Sequence, residues 1–216
     1  MAHDTNTLAP WAELVPAVGP MTIDELLARP EDDWLYELVE GKLVRMPPPG
    51  GEHGEIAGEL FGALRDWVKP RGLGRVLAAE TGFQLGPHTV LAGDAAFVRA
   101  DRVPARGSAG RKRYWRLAPD LAAEVASPGQ RRDDLDAKAR AWVDAGVRLV
   151  WVVWPATQQV DVWRPDASGT AQRAATLTRG DALDGPVCKP PVERCVTPRD
   201  PAPADRWRRS PRGGRR

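Results

Sequence analysis

The sequence predicts an α/β protein in which a mixed β-sheet is flanked by helices. Segments with the periodicity of amphipathic helices alternate along the chain with short runs of β-forming residues. The most apolar run, residues 147–154, has the composition of a central strand that is covered on both faces. Two other runs meet at Glu40 and Gly41, a pair typical of a hairpin turn, so the sheet should also contain antiparallel pairs.

Composition excludes several classes of protein. Of the 216 residues, 42% are hydrophobic and 28% are charged, which is typical of a globular chain. No apolar run approaches the roughly 20 residues that span a bilayer, so we expect no membrane partner. The N-terminal segment lacks the basic and apolar regions of a secretory signal. The two cysteines, Cys188 and Cys195, are too few for a disulfide scaffold and lack zinc-site spacing, so the expected location is cytoplasmic.

Charge is distributed unevenly along the chain. Residues 197–216 contain seven arginines and two aspartates, a net charge of +5, which leaves −3 for the other 196 residues. A simple DNA-binding module usually has an excess of basic residues. The other 196 residues of this chain have no such excess. An enzyme whose acidic residues bind metal ions remains compatible with this composition.

The first half of the chain contains two predicted helices and a hairpin. Residues 1–20 show no sustained periodicity and are expected to form a loose leader. Thr22 and Glu25 form a capping-box pattern that predicts a short helix. Two strands are expected within residues 35–46, and an amphipathic helix over 53–69.

The second half alternates strands with one further helix. The predicted strands cover residues 75–79, 81–85, 94–98, 121–126, 147–154 and 159–164, and the helix covers 133–145. From residue 187 the chain is rich in arginine and proline, which predicts a disordered tail over 187–216. The folded domain is therefore expected over 21–186.

Two carboxylates lie in apolar β-type runs. Asp94 opens the run Asp-Ala-Ala-Phe-Val, and Glu124 lies within Leu-Ala-Ala-Glu-Val. A carboxylate in such a run is costly unless it is paired or binds a cation. At neighbouring strand ends, the two side chains would offer the oxygen ligands that Mg²⁺ prefers. The alternative is that each faces solvent or pairs with an arginine.

Three further residues could complete such a site. Lys138 borders the apolar face of the helix that follows Glu124, from which its ammonium could reach the carboxylates; the alternative is a lysine that extends to solvent. His53 could contact a phosphate or a water bound to the metal, although a histidine at a helix start is more often solvated. Glu37 could add a carboxylate, although glutamates at strand edges are usually solvated as well.

A succession of motifs runs from residue 21 to residue 165. Its main members are Thr-Ile-Asp-Glu-Leu-Leu at 22–27, Tyr-Glu-Leu-Val-Glu-Gly-Lys-Leu-Val-Arg-Met-Pro-Pro-Pro at 36–49, Asp-Ala-Ala-Phe-Val at 94–98, Pro-Asp-Leu-Ala-Ala-Glu-Val-Ala-Ser-Pro at 119–128, and the Arg-Asp-Asp-Leu-Asp-Ala-Lys helix at 132–138. In this order and spacing they resemble the Uma family of restriction endonucleases, within the PD-(D/E)XK nuclease superfamily.

The resemblance implies a restriction-endonuclease-like core and a metal-dependent endonuclease that hydrolyses phosphodiester bonds in DNA. It implies Mg²⁺ or Mn²⁺ bound by Asp94 and Glu124, and a homodimer. Ala126 stands where the superfamily usually has its catalytic lysine, which leaves Lys138 as the substitute. The alternative function is a non-catalytic DNA-binding or protein-interaction protein that keeps the nuclease fold.

Three features depart from the family pattern. Gly93 and Trp154 stand where the family usually has proline and aspartate. The sequence after about residue 187 lacks the family's apolar ending, and a change of reading frame near that position would produce such a departure.

Overall fold

A computed structural model of the chain describes residues 13–16, 19–30, 32–79, 81–111 and 113–183. Residues 1–12 of the predicted leader and the predicted tail, 187–216, lie outside the described residues, so the disorder of that tail stays a prediction. No helix in the described ranges is long and apolar enough to cross a membrane.

The described part of the chain forms three α-helices and eleven strands. The helices are α1 (Ile23–Leu27), α2 (Gly51–Val68) and α3 (Arg132–Asp144). The strands are β1 (Glu13–Leu14), β2 (Leu35–Val39), β3 (Lys42–Met46), β4 (Gly74–Ala78), β5 (Gly82–Gly86), β6 (Thr89–Ala92), β7 (Ala95–Arg99), β8 (Leu121–Val125), β9 (Val150–Trp154), β10 (Gln159–Pro165) and β11 (Ala171–Thr178). The sequence did not predict β1, β6 or β11; β1 has only two residues, β6 has four, and β11 is largely exposed.

The strands form two sheets, whereas the sequence predicted one. The small sheet has the order β1-β3-β2-β6-β5 and is antiparallel throughout. The large sheet has the order β11-β10-β9-β8-β7-β4, in which β8 and β9 are parallel, so this sheet is mixed as predicted. The unpredicted strand β6 accounts for the division, because its pairing with β2 at Leu38 and Val90 draws the β5–β6 hairpin into the small sheet.

Helices cover both faces of the large sheet. Leu60 and Leu64 of α2 pack with Trp151 on one face, and Trp142 of α3 packs with Val150 on the other. Every residue of β8 and β9 is buried, so the prediction of a central strand within 147–154 is confirmed. Fully burying one large apolar side chain, such as a valine of β9, typically stabilises the fold by about 1.5–3 kcal/mol.

The start of the described chain differs from the loose leader expected there. Glu13 and Leu14 pair with Arg45 and Val44 of β3, and the Val15 amide donates to the Leu43 carbonyl at 2.9 Å. Without this segment, the outer edge of β3 would present unpaired backbone N–H and C=O groups. Residues 13–15 form hydrogen bonds with these groups.

A buried polar network fastens α3 to the large sheet. Asp161 on β10 is fully buried. Its Oδ2 accepts hydrogen bonds from Arg132 Nη1 at 2.7 Å and from Trp154 Nε1 at 2.9 Å, and its Oδ1 accepts from Thr176 Oγ1 at 2.6 Å. Trp154, which replaces the family's usual aspartate, thus serves as a donor to an aspartate on the neighbouring strand.

The same network reaches β11 through a second ion pair. Arg173 on β11 pairs with Asp136 on α3, one helical turn after Arg132. The Asp161 network, defined as the residues Asp161, Arg132, Trp154, Thr176, Arg173 and Asp136, therefore fixes the rotation of α3 about its axis. That rotation directs Lys138 and Trp142 of α3 toward Glu124.

Candidate active site

Five titratable side chains from separate parts of the chain line one cleft of about 740 Å³. They are Glu37 on β2, His53 in the first turn of α2, Asp94 directly before β7, Glu124 on β8 and Lys138 on α3. Because β2 belongs to the small sheet and β8 to the large sheet, this set forms only where the two sheets meet.

The pairing of β7 with β8 places Asp94 beside Glu124. Ala95 lies opposite Ala123 in this antiparallel pair, so Asp94 comes opposite Glu124, and opposite residues share a face. Two hydrogen bonds hold Asp94: its amide donates to the Ala123 carbonyl at 2.9 Å, and its Oδ2 accepts from the Val125 amide at 2.7 Å. The structure brings both carboxylates to one cleft, and their roles stay predictions.

Glu124 and Lys138 form a buried cluster of charges. Glu124 is 4% exposed; its Oε1 accepts from Trp142 Nε1 at 2.7 Å, and its Oε2 lies 3.0 Å from Lys138 Nζ. Lys138 Nζ also lies 2.9 Å from Glu37 Oε1 and donates to the Ala92 carbonyl at 3.1 Å. The three protons of the ammonium therefore have three oxygen acceptors.

The protonation of this cluster depends on burial. Burial raises the pKa of Glu124 to about 8, although the charge of Lys138 acts in the opposite direction. Burial acts to lower the pKa of Lys138, but the carboxylates of Glu124 and Glu37 outweigh it, and the pKa of Lys138 is raised. Lys138 thus stays charged, and Glu124 holds a proton more tightly than an exposed carboxyl does.

His53 fixes the orientation of Asp94. Its Nε2 lies 3.2 Å from Asp94 Oδ2, and its Nδ1 is buried without a partner. Burial acts to lower the pKa of His53, but the hydrogen bond to Asp94 and the charge of that carboxylate raise it overall. Within the described part of the chain, Asp94 Oδ1 has no hydrogen-bond or ion-pair partner.

The expectation that Glu37 and His53 are solvated is wrong. Glu37 is 4% and His53 8% exposed. Glu37 is buried because β2 pairs with β6, and its Oε1 accepts from the Ala92 amide at 2.8 Å. Lys138 does not extend to solvent, and among the described residues neither Asp94 nor Glu124 pairs with an arginine.

Sequence reasoning missed two groups that hold the cluster. One is Trp142, which lies one turn after Lys138, so that the two share a side of the helix. The Ala92 backbone, which contacts both Glu37 and Lys138, belongs to the unpredicted strand β6 and left no signal in the sequence.

The donor set fits a hard divalent ion held partly by water. Among the described residues, no three His, Cys, Asp or Glu side chains form a group that could enclose a metal ion. Magnesium is usually held by one or two carboxylates and several waters, and Asp94 Oδ1, which has no partner among the described residues, lies beside Glu124 and meets that requirement. A closed structural zinc site does not fit these residues.

The family assignment follows from comparison with known proteins. A family model described as a putative restriction endonuclease, Uma2, matches residues 23–193. The chain belongs to this family. The match spans all five cleft residues, so the resemblance predicted from the sequence motifs is confirmed.

The Uma2 chain also resembles a solved structure. Its fold is similar to the crystal structure of a putative nuclease belonging to DUF820 from Anabaena variabilis, with a TM-score of 0.69 and 25% identity over 82% of this chain and 98% of that chain. No curated protein matches the chain. The restriction-endonuclease-like α/β fold is thereby confirmed.

Proposed function

We propose that this chain is a metal-dependent endonuclease that hydrolyses phosphodiester bonds in DNA. The observation that carries the proposal is the convergence of Asp94, Glu124 and Lys138 in one cleft of a Uma2 family member. Two carboxylates can hold a divalent ion for phosphodiester hydrolysis, and an ammonium group can stabilise the charge that develops on the phosphate.

Asp94 and Glu124 would hold Mg²⁺ or Mn²⁺ in this proposal. The bound ion would supply Lewis acidity toward a phosphate oxygen and toward the attacking water. His53 keeps Asp94 Oδ2 occupied, so that Oδ1 stays available to a ligand in the cleft. The N–H of Trp142 orients Glu124 through Oε1, while Oε2 lies 3.0 Å from Lys138 Nζ.

Lys138 would stabilise the negative charge that develops on the phosphate during cleavage. A preorganised ammonium group is most effective in a site from which water is largely excluded. Glu37 and the Ala92 carbonyl keep Lys138 Nζ at the cleft while Glu124 serves the metal. Glu37 is thus proposed as a positioning residue for Lys138.

The test combines a plasmid-nicking assay with calorimetric titration of Mn²⁺ on the full chain. Glu124→Gln removes an anionic ligand, so we expect nicking to fall by more than about 100-fold, the upper range seen for residues that only support metal ligands. Lys138→Ala should slow nicking while leaving Mn²⁺ affinity equal or tighter, because a cation near the site is lost. Lys69→Ala, an exposed lysine at the end of α2, is the matched control and should behave as the parent.

One outcome tests which residues form the site, and the other tests whether the protein is a nuclease. If Glu124→Gln nicks DNA as fast as the parent does, the assigned site is wrong. If the parent binds no metal and nicks nothing, the non-catalytic alternative takes precedence.

That alternative, a DNA-binding or protein-interaction protein with a nuclease fold, has one specific observation in its favour. Lys138 already supplies a positive charge to Glu37 and Glu124, so the carboxylate cluster is neutralised in part without a metal. In a protein of this kind the cluster would serve only to hold α3 and β2 together, and Mn²⁺ would neither bind nor stabilise the fold.

We further propose that the chain acts as a cytoplasmic homodimer whose domain ends at about residue 186. The family resemblance supports the dimer, and a DNA substrate is consistent with the location. Light scattering on the full chain should give twice the mass of 23.6 kDa. Limited proteolysis should remove residues beyond about 190 before it cuts the domain, and a tail that resists while the domain is cut would contradict this division.

A further inference from the structure

The groups proposed to act on the phosphate are deeply placed in the cleft. Glu37 and Glu124 are each 4% exposed and His53 is 8% exposed, while the Asp94 side chain is 16% exposed. An intact duplex is a stiff rod, with a persistence length of about 150 bp, and presents its phosphates on a convex surface. A flexible single strand can bend its backbone into a recess that such a surface cannot enter.

The remaining walls of the cleft carry aromatic rings and arginines. Trp34, Tyr36 and Tyr114 line it together with Arg29 and Arg113. Proteins bind unpaired nucleotides through this combination, in which rings stack on bases and guanidinium groups meet phosphates.

Tyr114 is a firmly held ring with an unused polar group. Its ring lies so close to the Gly82 backbone that a side chain at position 82 would overlap it. The Tyr114 hydroxyl has no hydrogen-bond partner among the described residues, and the side chain is only half-buried. A rigid, accessible aromatic ring of this kind loses little conformational entropy when a base stacks on it.

The two arginines are anchored but have no carboxylate partner. Arg29 donates through Nη2 to the Tyr36 hydroxyl at 3.2 Å, and its guanidinium lies 4.7 Å from the centre of the Tyr36 ring. Arg113 donates through Nη1 to the Leu27 carbonyl at 3.2 Å. Neither forms an ion pair with a described residue, unlike Arg45, which pairs with Glu13 elsewhere on the small sheet.

The cations of the cleft can contact only a small number of phosphate groups. Its described lining contains three cations and four carboxylates: Arg29, Arg113 and Lys138, and Asp32, Glu37, Asp94 and Glu124. With all four carboxylates ionised and His53 neutral the sum is −1, and one divalent ion would change it to +1. Within the cleft, Arg29 and Arg113 offer contacts for about two phosphates, which a short stretch of one strand supplies.

We propose that the substrate of this cleft is an unpaired DNA strand, such as a single strand, a flap or a frayed end. Arg29 and Arg113 meet its phosphates, and Tyr114 stacks on one of its bases. This inference rests on the proposed endonuclease function, since the same cleft would perform both.

The first experiment compares three fluorescently labelled DNAs of one sequence: a single strand, a blunt duplex and a duplex with an unpaired flap. The full-length parent protein is incubated with each in Mn²⁺. We expect the single strand and the flap to be cut at least about tenfold faster than the duplex, the difference that the loss of one base-stacking contact would produce.

The second experiment measures binding of the single strand by fluorescence anisotropy in Ca²⁺. Tyr114→Ala should weaken binding about tenfold, and Tyr114→Phe, which keeps the ring, should restore most of it. Arg113→Ala should weaken binding and lower the salt dependence by about one phosphate contact. Arg65→Ala is the matched control, because Arg65 is exposed on α2, pairs with Asp66 and does not line the cleft.

The outcomes distinguish this inference from the proposed function. If the duplex is cut as fast as the single strand, the inference is overturned but the proposed endonuclease function is kept. The same conclusion follows if Tyr114→Ala does not change the affinity for the single strand. Single-strand binding that depends on Tyr114 and Arg113 without cleavage in Mg²⁺ or Mn²⁺ supports the assignment of the cleft and overturns the nuclease. A protein that binds none of the three DNAs overturns both.

Discussion

Glu124 keeps a carboxyl group where water has little access, and each of its two oxygens has one partner. Trp142 donates to one oxygen, and Lys138 lies beside the other. A buried carboxylate with so few donors is poorly solvated, which is why its pKa is raised although a lysine is in contact with it. The side chain is therefore sensitive both to pH and to any cation that enters the cleft.

This sensitivity predicts a pH-dependent stability. A carboxyl whose pKa rises from 4.5 to about 8 on folding binds more protons in the folded chain, so the free energy of unfolding falls as pH rises through that interval. Between pH 5 and pH 8 we expect the metal-free parent to lose on the order of 3–4 kcal/mol more stability than Glu124→Gln. Urea denaturation at both pH values measures the difference.

Comparing the parent with Glu124→Gln separates the contribution of Glu124 from that of His53. The pKa of His53 is also raised, so His53 lowers stability with rising pH in the same direction, but it is present in both proteins. Parallel curves of stability against pH for the two proteins would contradict the assignment of a raised pKa to Glu124.

His53 should control metal affinity through Asp94. His53→Ala removes the ring nitrogen 3.2 Å from Asp94 Oδ2, so the carboxylate loses one of the contacts that orient it. We expect Mn²⁺ affinity by calorimetry to fall about 10- to 100-fold. The matched control is His88→Ala, because His88 contacts the Met21 carbonyl and does not line the cleft. Equal weakening in both variants would show a general effect of histidine loss.

At the scale of elements, α3 connects two polar clusters. Arg132 and Asp136 bind the Asp161 network, while Lys138 and Trp142, on another side of the helix, contact Glu124. A helix held by several charged contacts cannot rotate without breaking them together. The position of Lys138 therefore depends on residues of β10 and β11 that do not line the cleft.

Loss of Asp161 should destabilise the fold and disturb the cleft. Asp161→Ala leaves Arg132 and Trp154 without their buried acceptor, and breaking a buried pair in this way costs about 3–5 kcal/mol. Chemical denaturation measures that loss. Asp133→Ala is the matched control, since Asp133 is an exposed residue in the first turn of α3, and its change should stay within about 0.5 kcal/mol. Equal effects of the two substitutions would refute a special role for the network.

At the scale of the whole molecule, an ion bound in the cleft between the two sheets should stabilise the folded chain. Anything that binds only the folded chain raises the free energy of unfolding, by about 2.7 kcal/mol at 100 times its Kd. Mn²⁺ should therefore raise the Tm of the parent in a concentration-dependent way and leave the Tm of Glu124→Gln nearly unchanged. Calorimetric melting in EDTA and in Mn²⁺ provides the measurement, and an equal rise in both proteins would place the ion elsewhere.

Much of the fold could be predicted, because helix periodicity and apolar strands are local properties of sequence. Asp94 and Glu124 were visible because carboxylates are unusual in apolar runs, and Lys138 because it borders an apolar helix face. The burial of Glu37 could not be predicted, since it depends on the pairing of β2 with β6, about 50 residues later. The Asp161 network was hidden for the same reason, because its partners are spread from Arg132 to Thr176.

The Asp161 network also sets the moment during synthesis at which the cleft can be completed. Ribosomes release a chain from its N-terminus at about 5–20 residues per second, so Lys138 emerges a few seconds before Arg173 and Thr176. Until β11 follows, Arg132 can bind Asp161, but Asp136 lacks Arg173 and Asp161 lacks Thr176. A nascent or prematurely terminated polypeptide that ends before β11 therefore carries every residue of the cleft but only part of the Asp161 network that holds α3. The last restraint on Lys138 is added only after synthesis has passed this strand.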